Sequence, residues 1–354
     1  MIPGFVYQSS PSRVVFGSGT RDRLAEEAER LGIARALVVS TPGQVRLADM
    51  AAGYLGDRCA AILSKARMHT PVEVTEEAMA VVTANEIDGV VAIGGGSTTG
   101  LAKAIAYRTD LPQLIIPTTY SGSEMTDILG ETADGQKVTV RDPRILPEAV
   151  IYDVDLTLGL PTAISVTSGM NAIAHAVEAL YAPDGNPVVS MMAEEGIRAL
   201  GAAIPGIAAA GDESEARASA LYGAWLCGLV LGNTSMGLHH KLCHILGGSF
   251  GLAHAETHTV ILPHVAAFNA PHAGDAMARV ARALASDDAP GALFDLAKDA
   301  GAPTSLREIG MSGTGLDRAA ELAVTTPYPN PAPIEPHAIR LLLENAWQGR
   351  RPTA

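Results

Sequence analysis

Short apolar runs alternate with charged, helix-period stretches through the first 150 residues. Residues 36–40 (ALVVS), 59–63 (CAAIL), 89–93 (GVVAI) and 113–117 (QLIIP) read as strands. Continuous β-branched runs of this kind suit strands buried on both faces. Between them, residues 21–31, 75–84 and 101–107 carry apolar positions at helical spacing. Strand, helix, strand in this rhythm predicts a parallel, doubly wound α/β sheet. After about Leu160 the texture changes. Ala-rich helical patterns run over 163–181, 188–203 and 213–231, with further helices after Leu238 and at 277–284 and 339–347. An all-helical second domain follows, with the boundary at the LGLP turn, so the expected domains are 1–158 and 159–354. Residues 287–290 and 327–336 read as loops.

Residues 218–238 carry no charge over a membrane-spanning length. Gly223, Gly228, Gly232, Asn233, Thr234 and Ser235 interrupt them, and His239 and His240 follow, which marks a buried core helix instead. The 354 residues hold 25 Lys and Arg against 38 Asp and Glu, a net charge of −13. So acidic a chain argues against general binding to nucleic acid or to an anionic membrane. Cys59, Cys227 and Cys243 are an odd count with no CxxC, which reads as a reduced protein without a disulfide framework. The N-terminal MIPGFVYQSSPSRVVFG has no basic stretch leading into an apolar core, so no signal peptide and a cytoplasmic location are expected.

Candidate chemistry begins at VAIGGGSTTG, residues 91–100. A buried strand runs into Gly94, Gly95 and Gly96 and then into a helix, with Ser97, Thr98 and Thr99 adding hydroxyls. Glycines let backbone N–H groups approach a phosphate, and the helix N-terminus favours the anion. A second loop, IPTTYSGSE at 116–124, ends the next strand with Thr118, Thr119, Ser121 and Ser123. Two such loops at the carboxyl ends of neighbouring strands point to a dinucleotide or nucleotide site.

Downstream, Asn171 and His175 stand four apart, as do His240 and His244, with His254 ten residues on. Residues at i and i+4 share a helix face. In order and spacing, GGGSTTGLAK, PTTYSGSE, NAIAHAVE (171–178), HKLCHILGG (240–248) and HAETH (254–258) resemble the motifs of the iron-containing (group III) alcohol dehydrogenase superfamily over nearly the whole chain. Two departures, Gly100 and Asn171 where the superfamily carries Asp, resemble its maleylacetate reductase branch.

The resemblance implies a Rossmann-like N-terminal domain and an all-α C-terminal domain, the dehydroquinate synthase-like architecture. It implies NADH or NADPH as cofactor, held by Ser40, Thr41, the glycines 94–96, Ser97, Thr98, Thr118, Thr119, Ser121, Ser123 and Lys137. Catalysis is expected from Asn171, His175, His240, His244 and His254. Asn171, His175, His240 and His254 are the vestigial metal-ligand candidates. Three histidines with a carboxylate suit a divalent metal, but an amide oxygen is a weak ligand and removes the balancing charge, so no required metal is expected. His258, His264 and His272 are assigned to structure or surface. The implied reaction is reduction of the C=C bond of maleylacetate to 3-oxoadipate in aromatic-compound degradation, chlorinated maleylacetates included, by a homodimer. The competing readings are a metal-dependent alcohol dehydrogenase of the superfamily and a non-catalytic NAD-binding protein.

Overall fold

In the computed structural model the described residues are 5, 7, 12–133 and 136–353, with Gln136 and Lys137 described for their backbone alone. The chain divides into two compact units between Leu160 and Pro161.

The first unit is built on strands β1 (Arg13–Gly17), β2 (Ala36–Val39), β3 (Cys59–Leu63), β4 (Gly89–Gly94) and β5 (Gln113–Pro117), with helices α1 (Leu24–Arg30), α2 (Val45–Leu55), α3 (Val72–Ala84) and α4 (Gly96–Thr109) between them. A hairpin of β6 (Ile128–Ala133) and β7 (Gln136–Arg141) precedes β8 (Ala149–Asp153). The six-stranded sheet has the order β1-β8-β5-β4-β2-β3, parallel throughout. Alternation along the strands sorts the core. Ala36, Val38, Val91, Ile93, Leu114, Ile116 and Ile151 pack with Leu24, Ala28, Ala48 and Ala51 of α1 and α2. The intervening Leu37, Val39, Val90, Ala92, Ile115 and Val150 are equally buried, as two covered faces require. The chain leaves β2 toward β3 but leaves β4 toward β5, so the winding reverses between β2 and β4. In open α/β sheets a ligand crevice forms at such a reversal, at the carboxyl ends of the strands.

The second unit is helical: α5 (Thr162–Leu180), α6 (Pro187–Ala209), α7 (Ser214–Asn233), α8 (Leu238–Phe250), α9 (His254–Asn269), α10 (Gly274–Ala283), α11 (Ala289–Asp299), α12 (Leu316–Ala323) and α13 (Pro336–Gln348). From Ser165 to Ala179 every residue of α5 is buried, including the polar Asn171, His175 and Glu178, which makes it the central helix of this unit. The uncharged 218–233 stretch lies in α7, where small residues bring it against α6. A Cβ on Gly196 would meet Cys227 Sγ at 2.8 Å, and one on Gly223 would meet Leu200 Cγ at 2.8 Å. Among the described residues no helix is long and apolar enough to cross a membrane. Of residues 287–290, read as a loop, Asp287 and Asp288 precede α11, and Ala289 and Pro290 form its start. Asp288 caps it by accepting from the Gly291 N–H, and Pro290 sits in the first turn, where its missing N–H costs nothing.

Candidate active site

At the carboxyl end of β4 the backbone turns at Gly94 (φ +153°) and Gly95 before α4 begins. Gly94 holds a conformation that side-chain-bearing residues rarely adopt, and both positions are crowded. A Cβ on Gly94 would lie 2.4 Å from Thr98 Oγ1 and 2.7 Å from Gln44 Oε1; one on Gly95 would lie 3.0 Å from Thr119 Cγ2. Thr118 at the end of β5 anchors the second loop, its N–H donating to Gly94 O (2.9 Å) and its Oγ1 accepting from Gln44 Nε2 (3.1 Å). Thr41 Oγ1 donates to Gln44 Oε1 at 3.0 Å, which closes a ring of polar groups over the ends of β2, β4 and β5. Thr98 Oγ1 is buried with no partner among the described residues. An open-backboned turn, a helix N-terminus and a spare hydroxyl fit the pyrophosphate of a dinucleotide. Gly96 is exposed and Ser97 half-buried at the start of α4. Ser121 Oγ donates to Glu124 Oε2 (3.4 Å), and Ser123 offers its carbonyl to Lys103 (2.5 Å). Ser40 is turned into the protein, its Oγ donating to Ser64 Oγ at 2.8 Å. The side chain of Lys137 lies outside the described residues.

Beneath the second loop sits a buried charge cluster that sequence reasoning did not reach. Lys103 Nζ donates to Ser123 O, Thr126 Oγ1 (2.9 Å) and Ile128 O (3.0 Å), and Tyr152 Oη donates to Glu124 Oε1 at 2.8 Å. Burial drives the Lys103 ammonium down to about 7 and the Glu124 carboxyl up. The signal was Lys103 itself, a lysine on an otherwise apolar helix face.

Gly100, the departure in the first motif, has a steric reason. A Cβ there would lie 2.3 Å from Thr70 Oγ1; the threonine hydroxyl fills the space an aspartate would need.

In the helical unit, α5 presents Asn171, His175 and Glu178; α8 presents His239, His240, Cys243 and His244; α9 presents His254 and His258. The rings of His175 and His240 stack at 5.2 Å between centroids. His258 lies 4.9 Å from His240 and 4.3 Å from His254. His254 is half-buried, and His244 faces outward, 6.2 Å from His240. His264 is buried and His272 exposed, away from these rings. Asn171 Oδ1, His175 Nδ1 and His240 Nε2 are buried without a partner among the described residues. Burial, reinforced by His240 and His254, pushes His175 well below the usual imidazole value, so it is neutral at pH 7. Glu178, unmarked by sequence reasoning, contacts His240 Nδ1 and accepts the His239 N–H at 2.8 Å. It stands in the quoted NAIAHAVE motif, three residues after His175.

Does this set fit a metal? His175, His240 and His254 do not bring their ring nitrogens within 4.8 Å of one another; among the described residues, the trio that does is His239, Cys243 and His258. With a neutral amide at 171 as well, the donors do not fit a tightly held divalent ion. In the His239–Cys243–His258 trio, His239 Nδ1 and His258 Nε2 are buried without a partner among the described residues. His239 Nε2 and His258 Nδ1 share a hydrogen at 2.9 Å, with Cys243 Sγ 3.7 Å from His239 Nε2. Burial first and Glu178 second push the Cys243 thiol well up, away from the thiolate a metal binds.

A family model described as "Iron-containing alcohol dehydrogenase" matches residues 11–154, and "Fe-containing alcohol dehydrogenase family, C-terminal" matches 165–347. The chain belongs to the iron-containing alcohol dehydrogenase family. Within it, the maleylacetate reductase of Burkholderia cepacia is 56% identical over 349 residues, 99% of each chain. The crystal structure of maleylacetate reductase from Agrobacterium tumefaciens superposes with a TM-score of 0.96 at 55% identity, covering 99% of this chain and 100% of that one. An iron-containing alcohol dehydrogenase from Corynebacterium glutamicum gives 0.94 at 42% identity, covering 98% of each. Both units of this family member therefore have full-length counterparts, which the Rossmann-like and helical domains expected from the sequence require.

Proposed function

We propose that the protein reduces the C=C bond of maleylacetate to 3-oxoadipate with NADH or NADPH. The observation that carries the reading is full-length similarity, 56% over 349 residues, to a maleylacetate reductase. A non-catalytic dinucleotide binder would not need the buried, unpartnered Asn171, His175 and His240 atoms.

The Gly94–Gly96 turn, Thr98, Thr118 and Thr119 would hold the pyrophosphate of a reduced nicotinamide, which when bound would supply hydride. Hydride adds to the carbon β to the ketone. The π electrons move onto the ketone oxygen as an enolate, and a proton then bonds to the α carbon. The chain's own residues have two tasks: hold the enolate oxygen and deliver that proton. Asn171 suits the first. An amide donates N–H to an oxyanion, whereas a carboxylate without a metal repels it. His175, neutral, donates beside it. His240, with a free Nε2, suits the second, and His254 borders the same rings. The electrons of an enolate are already delocalised, so this reaction needs no Lewis acid to support an alkoxide, and the donor set at 171 follows that need.

No acidic side chain stands at the end of β2, where Ser40, Thr41 and Gln44 meet. An acid there would repel the 2′-phosphate of NADPH, so use of both nicotinamides within roughly tenfold in kcat/KM is expected, about 1.4 kcal/mol. Chlorinated maleylacetates, a homodimer and a cytoplasmic location belong to the same reading and rest on the resemblance.

The test is turnover of maleylacetate by the purified protein with each nicotinamide, before and after exhaustive chelation. Activity that survives chelation supports the reading. Loss with EDTA and recovery with iron or zinc favours the metal-dependent alcohol dehydrogenase instead.

A further inference from the structure

Glu178 lies on α5 and is buried, 1% exposed. Its carboxylate faces the start of α8. Oε1 accepts from the N–H groups of Gly237 (3.2 Å) and His239 (2.8 Å). Oε2 accepts from the His240 N–H (3.4 Å) and meets Nδ1 of the same residue's ring. An ionised carboxylate accepts and does not donate, so the ring nitrogen against it carries hydrogen. The His175 ring stacks on His240 with 5.2 Å between centroids and 27° between planes.

We infer that Glu178 is a positioning residue for the proposed reduction, fixing His240 in the tautomer that leaves Nε2 as the atom through which the proton reaches the substrate. The inference rests on the reductase reading above. A helix cap alone does not explain the arrangement. Oε1 serves the Gly237 and His239 N–H groups, whereas Oε2 spans the His240 N–H and the ring of the same residue, a contact that capping does not require. Oriented carboxylate–histidine pairs fix tautomers in this way in other hydrolytic and transfer sites.

The proton balance is simple. Neutral His240 carries hydrogen on Nδ1 alone, so a proton from solvent first binds Nε2 to give the imidazolium; that N–H bond then breaks as the enolate's electron pair forms the new C–H bond at the α carbon. His240 returns to the neutral ring with hydrogen on Nδ1, still bonded to Glu178, and solvent restores the proton at Nε2. Glu178 exchanges no proton.

Two measurements on the full-length protein test this. In the first, ¹⁵N NMR of histidine-labelled protein at pH 8 reads the tautomer of His240, assigned by its loss in His240→Ala. Hydrogen on Nδ1 is expected in the wild type, and a mixture or hydrogen on Nε2 in Glu178→Gln. The second is a kinetic cycle. Glu178→Gln should lower kcat by about 10²–10³-fold, within the range of general acid–base catalysis, with NADH affinity changed less than twofold. Glu178→Asp should recover part of the loss. Because Glu178 acts through His240, Glu178→Gln combined with His240→Ala should be no slower than His240→Ala alone. Additive losses, or a neutral wild-type ring with hydrogen on Nε2 instead of Nδ1, would overturn the inference. Should Glu178→Gln not fold, the wild-type tautomer and the cycle built on Glu178→Asp decide it. Should the wild type not reduce maleylacetate, the reductase reading fails, and the tautomer measurement still decides the positioning of His240.

Discussion

Replacing Gly100 with alanine should destabilise the protein, although alanine is the better helix former. Gly100 lies in the second turn of α4, where propensity alone would favour Ala by about 1 kcal/mol. The new methyl would sit 2.3 Å from Thr70 Oγ1 and 3.6 Å from Thr70 Cβ. Thr70 cannot easily withdraw. Its carbonyl accepts from the Thr132 N–H at 3.2 Å, and Thr132 Oγ1 holds the carbonyl of His69 at 3.1 Å. Forcing a methyl into filled space costs about 1–3 kcal/mol, so the net loss should be near 1 kcal/mol. Thr70 itself is held at φ +46°, a left-handed conformation that costs a non-glycine residue about 1 kcal/mol or more. Thr70→Gly removes both the strain and the obstructing hydroxyl, and in that background Gly100→Ala should stabilise by about 1 kcal/mol. The two sites would then couple by about 2 kcal/mol. Urea unfolding of the four proteins, followed by circular dichroism, measures the cycle. A coupling below about 0.5 kcal/mol, the level at which independent sites add, would refute the claim that Thr70 excludes a side chain at 100. Gly100→Asp, which restores the superfamily residue, should cost more than Gly100→Ala because a charge accompanies the methyl.

Gly95→Val should weaken NADH binding by roughly ten- to hundredfold, the equivalent of about 1–3 kcal/mol of crowding, since even a Cβ meets Thr119 at 3.0 Å; unchanged affinity by fluorescence titration would move the phosphate site elsewhere. Lys103 makes stability depend on pH. Its folded value of about 7 lies below the unfolded 10.5, so between these the unfolded chain binds the extra proton and stability rises with pH, and the gain is lost as pH falls through about 7. Lys103→Met should flatten the slope of unfolding free energy over pH 7–9 by up to about 1.4 kcal/mol per unit; parallel curves for the two proteins would contradict this.

The β2, β4 and β5 strands were legible as apolar runs, which a doubly covered sheet demands; β3 reads the same way although it is an edge strand with Ile62 exposed. The edge strand β1, with Arg13 and Phe16 partly in solvent, carries a weaker pattern. The β6–β7 hairpin is largely polar and partly exposed, and only a small cluster of Leu129 and Val140 with Ala104 and Ile145 announces it. The glycine turn was visible because a run of three glycines between a buried strand and a helix is a local pattern, with Gly94 at φ +153°. The histidine cluster was visible only in part. The i, i+4 spacing of His240 and His244 suggested one shared face, yet His244 faces outward while His239 and Cys243 turn inward. Glu178 read as one polar residue on an Ala-rich helix, since its partners lie 59 to 62 residues away. Contacts of that range are set by helix packing, and no local pattern carries them.

The distribution of charge around the histidines follows from the chemistry proposed. Asn171 removes a carboxylate from the place where negative charge develops on the substrate, which stabilises that charge by donation instead of opposing it. The cluster nevertheless retains a carboxylate in Glu178. Its oxygens are saturated by N–H groups of Gly237, His239 and His240 and by the His240 ring, at the N-terminal end of α8, where the helix dipole favours an anion. A charge so compensated orients the imidazole from behind without projecting a repulsive field toward an enolate. Asn171→Asp would reverse this balance: a carboxylate facing the substrate side, with His175 and His240 near it, draws in a divalent ion or else repels the developing oxyanion.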